Sequence, residues 1–236
     1  MKIAGVIPAR KGSKGIPNKN MVELCGRNLI EYTFIESLKS NLDEVILTTD
    51  DDNIIKLAKN NYPSIKVPFK RSDELSCGET EAIDVLNHLL EYLKNINSEL
   101  PDVICWLQPT SPLRTHSDIN DCINLMKSKE LDSVISVVDV QGMSPYKMKK
   151  ISSDGFLEDL IPLKNKSTNR QKLPKIYIPN GAIFMISVEA FIKHKNFFGQ
   201  KSLSHEMNEE SSVNIDTLLD AKIANLILEK RSQDEI

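Results

Sequence analysis

Residues 7–20 read Ile7-Pro8-Ala9-Arg10-Lys11-Gly12-Ser13-Lys14-Gly15-Ile16-Pro17-Asn18-Lys19-Asn20. An apolar run, Ile3 to Ile7, leads into them and reads as a buried strand. The loop carries Arg10, Lys11, Lys14 and Lys19, with no acid before Glu23. Gly12 and Gly15 allow a tight bend and close approach to a ligand. Pro8 and Pro17 stiffen the two ends. Crowded cations repel one another, so a counter-anion is expected, and a glycine-bent turn of backbone N–H groups suits phosphate oxygens. Arg10, Lys14 and Lys19 are the candidate phosphate-binding cations, with Ser13 and the backbone at Gly12 and Gly15 as further donors. A solvated basic surface loop is the alternative. Neither the Gly-x-x-x-x-Gly-Lys-Ser/Thr loop nor the Gly-x-Gly-x-x-Gly fingerprint matches.

Outward from this loop, strand-like and helix-like stretches alternate. Asn28 is placed to cap a helix from Leu29 to about Ser40. Glu44–Thr49 reads as a strand ending in Asp50-Asp51-Asp52, an acidic cluster that either holds a metal or caps the next helix. Ile65–Pro68 is a short strand, Glu79–Lys94 a helix, Val103–Leu107 a buried strand, Ser117–Lys127 a helix and Ser133–Val138 a strand. This order predicts a mainly parallel sheet with helices on both faces, and ligands bind such sheets outside the carboxyl ends of the strands. The basic loop, Asp50–Asp52 and Gln108–Ser111 all fall at such ends.

From Val140 to Ile178 the apolar pattern thins and basic residues accumulate, which reads as an inserted arm, with a mobile surface loop as the alternative. The predicted organisation is therefore one α/β domain from 1–139 and 179–236, interrupted by an arm over 140–178. Ala182–Ile186 returns as a strand and Val213–Ile215 as a short one. Thr217–Lys230 is the closing helix, with Leu219, Ile223, Leu226 and Ile227 on its inward face.

The 236 residues, 40% of them hydrophobic, support a substantial core. A net charge of −3 argues against a general nucleic-acid binder, so the basic loop points to a small anion. Cys25, Cys77, Cys105 and Cys122 form no C-x-x-C pair and read as ordinary thiols. No signal peptide is visible, and no apolar stretch approaches the roughly 20 residues of a membrane helix. The expectation is a cytoplasmic protein without a membrane partner.

The loop at 7–20 resembles the signature of the acylneuraminate cytidylyltransferase family, which includes legionaminic and pseudaminic acid cytidylyltransferases. The resemblance extends to Arg71-Ser72-Asp73-Glu74-Leu75, to Leu107-Gln108-Pro109-Thr110-Ser111-Pro112-Leu113-Arg114, to Asn180-Gly181-Ala182-Ile183-Phe184 and to Ile215-Asp216-Thr217, in the family's order. It implies a Rossmann-like nucleotidyltransferase fold and the reaction of CTP with a nonulosonic acid to give a CMP-sugar and pyrophosphate. It also implies Mg2+ (or Mn2+) and a homodimer whose arm completes the partner's site. Arg10, Lys14, Lys19 and Asn20 match nucleotide-contacting positions. Arg71 matches a base-reading position, and Thr80 and Ala82 fall in the adjoining stretch.

Gln108, Thr110 and Ser111 offer amide and hydroxyl groups suited to a polyhydroxylated acid, and the family contacts the sugar with this loop. Arg170, Asn180 and Phe184 match further sugar-side positions. Asp216 is the first candidate for the metal, with Asn214 beside it; a helix N-cap at Asp216 or Thr217 is the alternative. The chain departs from frequent family residues at Lys11 (glycine), Ala82 (serine), Phe184 (tyrosine) and Asn214 (aspartate). Rival expectations are GTP or another keto-sugar acid as substrate, or a nucleotide-binding paralogue without turnover.

Overall fold

The computed structural model describes all residues except 13–14, 141–142, 162–173 and 235–236. The chain opens with β1 (Ile3–Ala9). A small hairpin of β2 (Glu23–Leu24) and β3 (Arg27–Asn28) leads into α1 (Leu29–Lys39). Then come β4 (Glu44–Thr49), α2 (Asp52–Asn61), β5 (Ile65–Lys66), α3 (Ala82–Asn95), β6 (Val103–Trp106), α4 (His116–Ser128) and β7 (Ser133–Asp139). A second hairpin, β8 (Lys149–Ile151) and β9 (Leu157–Asp159), precedes β10 (Tyr177–Ser187), α5 (Val188–His194), β11 (Ser202–Glu206) and α6 (Leu218–Asp234).

Seven strands form one sheet in the order β11-β7-β10-β6-β1-β4-β5. β1 pairs parallel with β4 and β6, β4 with β5, and β7 with β11, whereas β10 runs antiparallel between β6 and β7. The sheet is mostly parallel, as the alternation predicts. β10 begins at Tyr177, ahead of the expected Ala182, because its first residues pair with the end of β7 before a register shift between Pro179 and Phe184.

The strands carry side chains to both faces with period two. Ile3, Ile7, Val45, Leu47, Val103, Cys105 and Leu107 pack with α1, α2 and α4 on one face. Ala4, Val6, Ile46, Ile104 and Trp106 pack with α3 and α5 on the other. Full burial of each large apolar side chain stabilises the fold by on the order of 2 kcal/mol relative to exposure. α1 starts where expected, on a capping box in which Asn28 N donates to Glu31 Oε2 at 2.8 Å. α3 starts later than predicted, at Ala82, because Glu81 and Asp84 form the cap.

A third cluster positions the site. Ile16, Leu24, Leu29, Leu113, Ile215, Ala221 and Ala224 gather the basic loop, the loop after β6 and α6 around one small core. Two expectations fail here. Val213–Ile215 forms no strand; the segment is held by single bonds, with Ile215 N donating to Thr110 O at 2.8 Å. The inward face of α6 is only partly the predicted stripe: Ile227 packs against this core, but Leu219, Ile223 and Leu226 are exposed. Ala221 and Ala224 are buried, while Leu219 and Leu226 are 66% and 65% exposed. Small side chains let α6 sit close to the loops beneath it, with Leu219 and Leu226 left outward.

All four cysteines are free, with Cys105 and Cys122 in the core. The β8–β9 hairpin stands out from the sheet, with Ile151, Phe156 and Leu157 each more than 70% exposed.

Candidate active site

β4, β1 and β6 lie side by side and end together, which brings three loops to one edge of the sheet. A cleft of about 490 Å³ opens there. Arg10, Gly15, Lys19, Asn20, Arg71, Thr80 and Ala82 line it on the β1–β4 side, and Gln108, Thr110 and Asp216 on the other. Segments more than two hundred residues apart in sequence are thus neighbours.

The basic loop is clasped by its own residues. Asn20 Nδ2 donates to Arg10 O at 3.1 Å, and Arg10 Nη1 donates to Cys77 O at 3.3 Å. Lys11 is exposed, and its backbone N donates to Asp50 Oδ1 at 2.8 Å. The acidic cluster serves structure: Asp51 Oδ1 accepts from Asn53 N at 2.8 Å to cap α2, and Asp52 pairs with Lys70 at 2.7 Å. Among the described residues no group of three or more His, Cys, Asp or Glu is placed to hold a metal.

Arg71 is a buried residue, not a surface ion pair. Its backbone N donates to Thr49 O at 2.8 Å, its Nη2 to Thr48 O at 2.5 Å and its Nε to Thr48 Oγ1 at 3.3 Å. Burial lowers its pKa to about 10, and it remains a cation at neutral pH. Thr80 bridges its own loop, donating to Glu74 O at 3.1 Å.

Across the cleft, Lys19 Nζ donates to Ile215 O at 2.7 Å and to Asp216 Oδ1 at 3.0 Å. A Cβ on Gly15 would meet Asp216 O at 2.4 Å, so only glycine allows this contact between the first and last loops. The cap of α6 falls to Thr217 and Asp220: Thr217 N and Oγ1 both donate to Asp220 Oδ2, at 2.7 and 2.8 Å. Asp216 is thereby left with a 68% exposed side chain on the cleft.

The implied Mg2+ can be tested against these donors. A magnesium ion takes one or two carboxylates and completes its shell with water and substrate phosphates. Asp216 fits that demand. Asn214 does not fit as an oxygen donor: its Oδ1 is buried without a hydrogen-bond partner, while its Nδ2 donates to Asp216 Oδ2 at 2.9 Å.

The loop after β6 is held by a residue to which the sequence reading gave no role. Arg114 is fully buried; its Nη1 donates to Ala182 O at 2.6 Å and Gln108 O at 3.2 Å, and its Nη2 to Thr33 Oγ1 at 2.8 Å. Burial lowers its pKa to about 10. The signal available in sequence was an arginine set directly after Pro112-Leu113, where an exposed turn would not need one. Ser111 lies beneath the loop, 1% exposed, with an unpartnered Oγ.

Other expected residues lie away from the cleft lining. Asn180 is buried, its Oδ1 accepting from Ser136 Oγ at 2.6 Å and its Nδ2 donating to Ser212 Oγ at 2.9 Å. Phe184 packs with Phe197 and Phe198, at 5.9 and 6.3 Å between ring centroids. Gly12 is exposed on the loop with no neighbour near its Cβ position. Ser13, Lys14 and Arg170 lie outside the described residues. Trp106, the single tryptophan, also lines the cleft, a role the strand pattern did not announce.

A protein-family model described as cytidylyltransferase matches residues 4–219. N-acylneuraminate cytidylyltransferase of Escherichia coli is 31% identical over 237 residues, covering 100% of this chain and 54% of that protein. The chain thus spans about half the length of the N-acylneuraminate cytidylyltransferases it matches. CMP-N,N'-diacetyllegionaminic acid synthase of Legionella pneumophila is 30% identical over 231 residues, covering 97% of both chains. Among solved structures, CMP:2-keto-3-deoxy-manno-octonic acid synthetase complexed with CTP superposes with a TM-score of 0.70 over 98% of this chain and 100% of that one, at 15% identity. That likeness concerns the fold; the sequence matches carry the family. By the family-model match and the sequences of these relatives, the chain belongs to the cytidylyltransferase family.

Proposed function

We propose that the chain is a cytidylyltransferase that activates a nonulosonic acid: CTP and the sugar acid give a CMP-sugar and pyrophosphate. The observation that carries this reading is the meeting of Arg10, Lys19, Asn20 and Arg71 with Gln108, Thr110 and Asp216 in one cleft of a family member. The sugar's anomeric oxygen attacks the α-phosphorus, the bond to the bridging oxygen of the β-phosphate breaks, and water takes the hydroxyl proton. No covalent bond to the protein forms. The chain's share is alignment and charge neutralisation.

Arg10 and Lys19 face the triphosphate, with Lys14 assigned alongside them by resemblance. Arg71, anchored on Thr48, directs its remaining N–H groups to the base. Gln108 and Thr110 orient the sugar acid. Asp216 is the residue that would hold Mg2+ or Mn2+, which supplies further neutralisation of the phosphates. The roles of Ser111, Asn180, Phe184 and Arg170 on the sugar side rest on resemblance alone.

The substrate class is sialic-type. Sialic acid is the default substrate, with legionaminic and pseudaminic acids close behind, because relatives named for each are 31%, 30% and 26% identical to this chain. The exposed apolar residues of the β8–β9 hairpin support a homodimer built through the arm. Among the described residues no helix is long and apolar enough to cross a membrane. Use of CTP supports a cytoplasmic location.

The test is pyrophosphate release with Mg2+ over a grid of CTP, UTP, GTP and ATP against sialic, legionaminic, pseudaminic and 3-deoxy-octulosonic acids. Release in a CTP cell is expected, and Lys19→Ala should lower it by at least about a hundredfold without unfolding the chain. Release only with GTP would overturn the base assignment. Nucleotide binding, read by Trp106 fluorescence, without release in any cell would favour a non-catalytic paralogue.

A further inference from the structure

Both oxygens of the Asp216 carboxylate are already taken by nitrogen donors of the chain. Lys19 Nζ lies 3.0 Å from Oδ1 and Asn214 Nδ2 lies 2.9 Å from Oδ2. Lys19 is secured a second time by Ile215 O at 2.7 Å, and its side chain is only 12% exposed. An ammonium and an amide NH2 on one carboxylate satisfy the anion and oppose a second cation. The one oxygen of Asn214 that would accept a cation is buried, 3.8 Å from the Cβ position of Gly181. Asp220 turns one oxygen to the helix cap, where its Oδ2 accepts from Asp216 N, Thr217 N and Thr217 Oγ1.

We propose that the free protein has no standing site for a divalent cation, and that the cation enters with the triphosphate. This rests on reading the cleft as a nucleotidyl-transfer site. Phosphate oxygens would compete with Asp216 Oδ1 for the Lys19 ammonium, and Asp216 Oδ1 is the oxygen that would then hold the cation neutralising the triphosphate. Asp216 is neutralised by Lys19 in the free protein and would be neutralised by the cation once Lys19 turned to phosphate. Asn214 is a positioning residue in this scheme. Its NH2 holds Asp216 Oδ2 in place throughout.

The experiment is a titration of Mn2+ into the nucleotide-free full chain, with free Mn2+ read by electron paramagnetic resonance. Lys19→Met keeps the aliphatic stem and removes the charge. It should bind Mn2+ about tenfold more tightly than the native chain, the Coulomb effect of one unit charge at about 3 Å in a water-like dielectric. Asn214→Asp adds a second carboxylate beside the first and should tighten binding by at least about tenfold. A native chain that binds Mn2+ as tightly as Asn214→Asp overturns the proposal, as does a folded Lys19→Met chain that binds no more tightly than native. Should Lys19→Met fail to fold, the comparison of Asn214→Asp with native decides alone. With no nucleotide or sugar present, failure here leaves the proposed CMP transfer untouched. Silence in the pyrophosphate grid likewise leaves the Mn2+ result standing.

Discussion

On the β1–β4 side of the cleft, two guanidinium groups and an amide line the wall, each steadied by a backbone carbonyl: Arg10 on Cys77 O, Asn20 on Arg10 O, Arg71 on Thr48 O. On the β6 side, the cation that matters is out of sight. Arg114 lies under its loop and spends its Nη1 and Nη2 donors on Gln108, Ala182 and Thr33. The first wall keeps positive charge available to a polyanion. The second uses a buried charge to fix loop shape, leaving the neutral amide and hydroxyl of Gln108 and Thr110 at the surface. Similar residues thus do different work according to whether the guanidinium or the loop meets the cleft.

The largest effect should come from breaking the second wall. Arg114→Leu strands two carbonyls and a buried hydroxyl, and at about 1–3 kcal/mol for each buried group left unpaired it should cost roughly 3 kcal/mol or more. Urea unfolding measures this, and Arg114→Lys should recover only part, since one ammonium cannot reproduce the planar fork. A loss below about 1 kcal/mol would remove the shaping role.

A smaller and different effect is expected on the first wall. Arg71→Ala should raise the KM for CTP by about tenfold or more and narrow the preference for CTP over UTP. Unchanged base preference would detach Arg71 from the base. The smallest effect should be that of Ser111→Ala. Its hydroxyl is buried without a partner, so the substitution should be neutral or stabilising by up to about 1 kcal/mol, and the KM for the sugar acid measures whether the sugar-side role taken from resemblance holds. A marked rise in that KM would show that the loop opens to present Ser111.

Much of this cleft could be read from sequence because its ingredients are local. Strand runs ending in Pro8-Ala9-Arg10, in Asp50-Asp51-Asp52 and in Gln108-Pro109-Thr110 place three loops on one edge through parallel-sheet geometry alone. Orientation was harder to read. Asn214 offers either an oxygen or an NH2 to its neighbour, and only the packing beneath Gly181 decides which. Asn180 has the residue type of a ligand contact, yet Ser136 and Ser212 consume its amide. In α6 the spacing of Leu219, Ile223 and Leu226 matched an inward stripe, but periodicity cannot weigh close approach through Ala221 and Ala224 against bulk. Arg114 stands in the motif as a charge alone, and only the packing around it gives its depth.

Ile215 carries a consequence of another kind. Its N–H serves Thr110 on one wall, its carbonyl serves Lys19 on the other, and its side chain is 1% exposed in the small third core. The junction between the walls is written in main-chain atoms, which every amino acid except proline supplies. Mutational drift at this position therefore leaves the junction intact for as long as the side chain stays apolar and of similar size. The residues on either side can change while the junction between them is kept.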